Sequence, residues 1–292
     1  MDTRSKVLGV GGVAMLVLAA WAAPAQGQGG VRGRMVERDV RLTTSPPEWL
    51  AIPAEGRLAT SDGVDLAPLQ NASVSYENAA LGMLVGAFRN TGTCLRDASV
   101  RLQYTDEQGA PIGDAIENEA RVTLVEPEGL LPYRFRLKKK ADLPRVPAGY
   151  VVQVAEAGRA VTTGLRWVEA GKAPAREACP SRPYAFDVSM GKARASWQSF
   201  RVSGTLRLRA GGPLRPEGLT ITALLLDKDQ QVLEVLTGTP DVEGAALPTG
   251  LLENDASLPF TLATPVPLGK WVADVKVFAE VLPDAQVAAP DR

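Results

Sequence analysis

Apolar and polar positions alternate with a period of two along most of this chain, and no stretch keeps a 3.6-residue apolar rhythm over three turns. The alternating segment Ala98-Ser99-Val100-Arg101-Leu102-Gln103-Tyr104-Thr105 puts Val100, Leu102 and Tyr104 on one face, the mark of a half-buried strand. Leu81 to Phe88 is an unbroken apolar run ending at the turn signal Asn90-Thr91-Gly92, and Asp106-Glu107-Gln108-Gly109 reads as a hairpin turn. Further alternating strands are predicted at Arg121 to Val125, Tyr133 to Leu137 and Tyr150 to Val154, each bounded by Pro or Gly. Short strands at such spacing predict a β-sandwich over 71–168.

The same order returns downstream. Phe200 to Leu208 stands where Leu81 to Phe88 stood, and Gly211-Gly212 takes the place of the Asn90 turn. Leu219 to Leu226 followed by Asp227-Lys228-Asp229-Gln230 parallels Val100 to Thr105 and its turn. Leu258-Pro259-Phe260 parallels Leu131-Pro132-Tyr133, and Lys270 to Val277 parallels the strand at Tyr150. The offset stays at about 118–128 positions, so duplication of one all-β unit is the simplest account. The expected fold is therefore all-β, two tandem β-sandwich domains over 71–168 and 184–282. A linker over 169–183 joins them and a tail follows over 283–292. Residues 26–70, broken by Pro46, Pro47, Pro53 and Pro68, read as an extended Pro/Gly-rich segment.

Ahead of that segment, Arg4 and Lys6 precede the apolar run Val7 to Ala23, and Ala23-Pro24-Ala25 offers a small-x-small exit. This is the pattern of a signal peptide over 1–25. The expected location is thus the periplasm or the cell surface, with no membrane span in the mature chain unless the signal stays uncleaved as an anchor. Export also changes the reading of the two cysteines. An oxidising compartment favours a disulfide between Cys94 and Cys179, worth about 4–5 kcal/mol by loop closure; the alternative is two separate thiols.

These motifs resemble the FxLyD and related immunoglobulin-like envelope domains of bacteria. Gly86, Asn90, Gly92, Asp106, Gly109, Leu131-Pro132-Tyr133, Val152 and Val154 carry the resemblance in the first copy. In the second copy Gly204, Asp227, Leu258-Pro259-Phe260, Val275 and Val277 match, while the Asn is missing and Gln230 replaces the turn glycine. The resemblance covers about two thirds of the chain. It implies immunoglobulin-like sandwiches in an exported protein and supplies no shared catalytic residue.

Composition narrows the function classes. The chain has no histidine, which removes the commonest general base and metal ligand together with every Ser-His or Cys-His arrangement. A net charge of −1 argues against a nucleic-acid partner, and an aromatic content of 5% leaves few stacking platforms.

The remaining candidate chemistry is thin. Ser189-Met190-Gly191-Lys192 fits the S-x-x-K nucleophile motif, but that motif needs a helix to bring Lys beside Ser, and a strand pattern follows here. Asp227 with Asp229, and Asp62 with Asp65, could offer oxygens to Ca²⁺, yet both sit where turns are expected and neither has a binding-loop spacing. No catalytic, cofactor or metal residue is therefore expected. The candidate surface contacts are Trp49, beside Pro46-Pro47, and the basic strip Arg134, Arg136, Lys138, Lys139 and Lys140. Contact with an acidic cell-wall polymer or lipid head group is the functional reading of the lysines; a solvated loop with a charged strand edge that blocks sheet-to-sheet aggregation is the favoured one. Trp49, Trp167, Trp197 and Trp271 could line a carbohydrate site, but Trp197 and Trp271, in or beside alternating strands, are expected to serve core or inter-domain packing. The expected function is a non-enzymatic, exported interaction or scaffolding protein of the cell envelope, with envelope proteins as partners. The alternative is a module that binds carbohydrate or cell-wall polymer.

Overall fold

The computed structural model describes residues 38–41, 47–53, 55–61, 63–69, 72–78, 81–156, 179–180, 182–191, 194–195, 199–243, 245, 247–264, 271–282 and 285. The export signal over 1–25, Trp167, Trp197 and most of the 169–183 linker lie outside them.

The described chain is all-β. Its first half supplies β1 (Arg38–Arg41), β2 (Glu55–Thr60), β3 (Leu66–Pro68), β4 (Ser73–Asn78), β5 (Leu81–Asn90) and β6 (Leu95–Arg96). It continues with β7 (Ser99–Thr105), β8 (Pro111–Glu117), β9 (Leu124–Val125), β10 (Leu130–Arg136) and β11 (Gly149–Ala155). The second half supplies β12 (Ala185–Met190), β13 (Arg194–Ala195), β14 (Phe200–Ala210), β15 (Leu219–Leu226), β16 (Val232–Gly238), β17 (Ser257–Ala263) and β18 (Asp274–Val281).

Four sheets result. The first has the order β1-β2-β11-β7-β8, and the second is built on β5, flanked by β10 on one side and by β3 and β4 on the other. The third has the order β16-β15-β18, and in the fourth β14 pairs with β12, β13 and β17. The small β6-β9 ladder stands apart from these. One pairing pattern occurs in both halves. The antiparallel pairs β5–β10, β7–β8 and β7–β11 recur as β14–β17, β15–β16 and β15–β18.

Side chains alternate as the sequence predicts. Leu102, Tyr104, Val152 and Val154 of the first sheet meet Leu84, Phe88, Tyr133 and Phe135 of the second in one core. Ile221, Ala223 and Leu225 of the third sheet meet Val202, Phe260 and Leu262 of the fourth in another. A third apolar layer joins the halves. Met83, Val85 and Ala87, on the opposite face of β5, pack against Leu224, Leu226, Val232 and Val235. β5 is thus buried on both faces, which is why its sequence is continuously apolar instead of alternating.

The first sheets begin upstream of position 71. β2 lies parallel to β11 with Leu58 opposite Val152, and β3 pairs with β5, so part of the expected Pro/Gly-rich segment 26–70 is strand. Proline does not prevent this. Pro53 precedes β2, and Pro68 closes the three-residue β3, positions where a missing N–H costs little.

Candidate interaction surface

The two surface features picked out by sequence, Trp49 and the lysine run, lie side by side. Residues 49–51 run against the chain that leaves β10: Ala51 N–H donates to the Lys138 carbonyl at 3.0 Å, and Lys140 N–H donates to the Trp49 carbonyl at 3.0 Å. Leu50 forms a bridge with Lys139 and is fully buried. A turn closed by Leu50 N–H on the Pro47 carbonyl sets this geometry. Trp49 is half-buried against the first core, and it meets the basic turn through its backbone carbonyl.

Below the turn, Lys138 N–H donates to the phenol oxygen of Tyr104 at 3.3 Å. Burial of that phenol pushes its pKa up to about 12, against a smaller lowering by the Lys138 hydrogen bond. The Lys138 ammonium donates to the Asp114 carbonyl at 3.4 Å. Lys139 and Lys140 are exposed, and neither forms an ion pair among the described residues. Two uncompensated ammonium groups are thus held on an ordered backbone.

The two arginines of the strip part company. Arg136 is exposed, with its Nε 3.4 Å from Glu119. Arg134, expected at the surface, is buried. Its Nη1 donates to Glu119 at 2.6 Å, and its Nε lies 3.8 Å from Glu234 of β16. The reason is architectural. Arg134 stands opposite Val85, on the face of the second sheet that the third sheet covers, so the side expected to be solvated is an internal layer. Glu234 reaches it at a register irregularity in the β15–β16 ladder, the kind of position that re-aims a side chain.

A second polar cluster joins the halves and was not anticipated. Glu280, fully buried on β18, accepts from Thr123 Oγ1 at 2.5 Å, from Tyr184 OH at 3.3 Å and from Arg182 Nη1 at 3.2 Å. Arg182 also donates to the Leu124 carbonyl at 2.8 Å. Burial raises the Tyr184 phenol pKa, and the neighbouring Glu280 charge adds to it. Close by in sequence, Cys179 is disulfide-bonded to Cys94, with Cα atoms 5.4 Å apart. The one signal for this cluster was a glutamate among apolar residues in Val277-Phe278-Ala279-Glu280-Val281.

The other candidates are structural. Ser189 lies on the exposed strand β12, with no helix to carry an S-x-x-K geometry; Lys192 and Asp62 lie outside the described residues. Asp227 Oδ1 accepts from the N–H groups of Asp229 and Gln231, as Asp106 Oδ1 does from Gln108 and Ala110. No group of three or more metal-ligating side chains occurs among the described residues, and no helix there is long and apolar enough to cross a membrane. Trp271, expected to serve packing, is instead 89% exposed beside β18. The residues that separate it from the previous strand follow Pro and Gly, so its alternation signal belongs to the strand that starts only at Asp274.

No protein-family model matches the chain, and no curated protein does.

Proposed function

We propose that this protein is an exported, non-enzymatic scaffold of the cell envelope, built from two tandem immunoglobulin-like sandwiches of the FxLyD-like kind. Its contact site is the basic turn Lys138–Lys140 with Arg136, buttressed by Trp49. The observation that carries the reading is the pair of exposed lysines, Lys139 and Lys140, without ion pairs among the described residues, at the end of a strand whose arginines Arg134 and Arg136 are both ion-paired. A charged turn on a stiff all-β body can engage an acidic surface with little ordering cost. The polar clusters elsewhere support the same view, because Glu280, Glu234, Asp106 and Asp227 are spent on joining halves and closing turns. Among the described aromatics Tyr104, Tyr133, Tyr150, Phe88, Phe135 and Phe260 are buried while Trp271 is exposed, and one exposed ring makes a poorer platform for a stacked sugar chain than a coplanar set, which favours a protein partner. The disulfide fits an oxidising compartment.

Affinity capture from envelope extracts tests this. The scaffold reading expects one stoichiometric protein partner that is lost with the double variant Lys139→Glu/Lys140→Glu. Recovery of glycan alone, or a partner indifferent to that variant, contradicts it.

A further inference from the structure

β18 has an open edge. It pairs with β15 on one side, whereas its counterpart in the first half, β11, carries β2 and then β1 on the other. No described strand fills the corresponding place beside β18. The repeat itself therefore shows that a strand in this position can accept a neighbour. Over Asp274–Val281 the edge has neither proline nor a register break, and its charged residues outside the buried end are Asp274 and Lys276.

The ladder says which backbone groups face outward. Leu282 N–H donates to the Gly218 carbonyl, so along the antiparallel β15–β18 pair the even-numbered residues exchange bonds with β15. Val275 and Val277 then point N–H and C=O away from the sheet. The Val275 N–H donates to the carboxylate of its own neighbour Asp274 at 2.8 Å, a side chain standing in for an absent strand. The far end is closed, since Glu280 and Val281 are buried beneath Thr123, Tyr184 and Arg182. Only the beginning of β18, with exposed Trp271 ahead of it, is accessible.

We infer that this edge is a self-association surface, on which β18 of a second copy docks antiparallel and makes a continuous six-stranded sheet across a twofold axis. A twofold contact must be self-complementary, and outward parity allows only registers that pair odd residues with odd. Centring on Asp274 or on Lys276 sets two like charges face to face. Centring on Val277 places Asp274 opposite Glu280. Centring on Val275 pairs Asp274 with Lys276 of the second copy, and Lys276 with its Asp274, with Val275 against Val275 between them. It is centred on Asp274–Val277, the open part of the strand, since the Ala273 N–H is already taken by the Leu226 carbonyl at 2.8 Å, and it brings each Trp271 toward the other β18. Opposite charges directly across a ladder stabilise it, and like charges oppose it.

Sedimentation of the whole protein under non-reducing conditions tests the register. The wild type is expected to dimerise, and Asp274→Lys or Lys276→Asp alone to weaken the dimer at least about tenfold. The combined Asp274→Lys/Lys276→Asp variant is expected to recover it, with circular dichroism confirming that each variant is folded. Hydrogen exchange should show Val275 and Val277 amides protected in the dimer and open in the single variants. A wild type that stays monomeric at all concentrations overturns the inference, whether those amides exchange freely or are shielded by the chain itself. So does a dimer that ignores the single charge reversals.

Discussion

The side chain of Tyr133 fills the space that a β-carbon would need at Gly86, the residue registered opposite it on the next strand. Phe260 does the same at Gly204, where a β-carbon would lie 2.6 Å from the ring Cζ. Each aromatic thus lies across a glycine backbone and covers what the glycine cannot, a device that pins register. In the first half the ring continues into Phe88 and Phe135, with centroids 4.8 and 5.6 Å away. Gly86→Ala and Gly204→Ala should each cost about 2 kcal/mol through overpacking. Denaturant titration reads this as a lower midpoint at unchanged slope, and Tyr133→Leu should soften the penalty at Gly86. An unchanged midpoint would show that the ring moves aside freely.

The Asp turns should be equivalent despite their different fourth residue. Gly109 has φ +79° and Gln230 φ +59°, so glutamine occupies a left-handed position that favours glycine. Gln230→Gly is expected to stabilise by up to about 1 kcal/mol. Asp106→Ala and Asp227→Ala, losing two accepted N–H bonds each, should cost about 1–2 kcal/mol. Thermal unfolding measures both signs, and a destabilising Gln230→Gly would refute the strain argument.

Between the halves, Arg134→Met removes the guanidinium that stands between Glu119 and the buried Glu234. The expected cost is about 3 kcal/mol, most of it recovered in Arg134→Met/Glu234→Met, because removing one member of a buried pair is worse than removing both. A double-mutant cycle by chemical denaturation checks this; additive losses would mean that the two side chains do not communicate.

Alkali should unfold the protein through its buried phenols. The Tyr104 pKa rises from 10.0 to about 12 in the fold, and complete burial, with Tyr150 beside it, raises Tyr133 well above its usual value too. A phenol held protonated by folding contributes stability in full below pH 10, and loses it as pH climbs toward 12. Tyrosinate absorbance should therefore appear together with loss of the β-sheet signal. Full ionisation of Tyr104 near pH 10 in a folded chain would contradict the burial argument.

How much of this was legible in the sequence varies strand by strand. β7 and β11 were clear because each has one dry face and one wetter face, which strict alternation encodes. The Gly86/Tyr133 and Gly204/Phe260 correspondences were visible as repeated motifs, although their contact was not. β8, with Gly113 and the charged Asp114 in its middle, gave no comparable pattern, because an edge strand hides few side chains. Arg134 was misplaced for a reason of topology. Period two shows that Arg134 and Arg136 share a face, but only the packing of β5 against β16 decides whether that face is water or protein. The unbroken run Leu81 to Phe88 did carry that information, as a strand dry on both sides.

Calorimetry of the intact, disulfide-bonded protein tests the central claim, that the two halves are one body joined by the Met83–Val85–Ala87 layer, the Arg134–Glu234 pair and the Glu280 cluster. The account predicts a single cooperative transition whose calorimetric and van't Hoff enthalpies agree. Two separable transitions in the wild type, each with the enthalpy of half the chain, would contradict it.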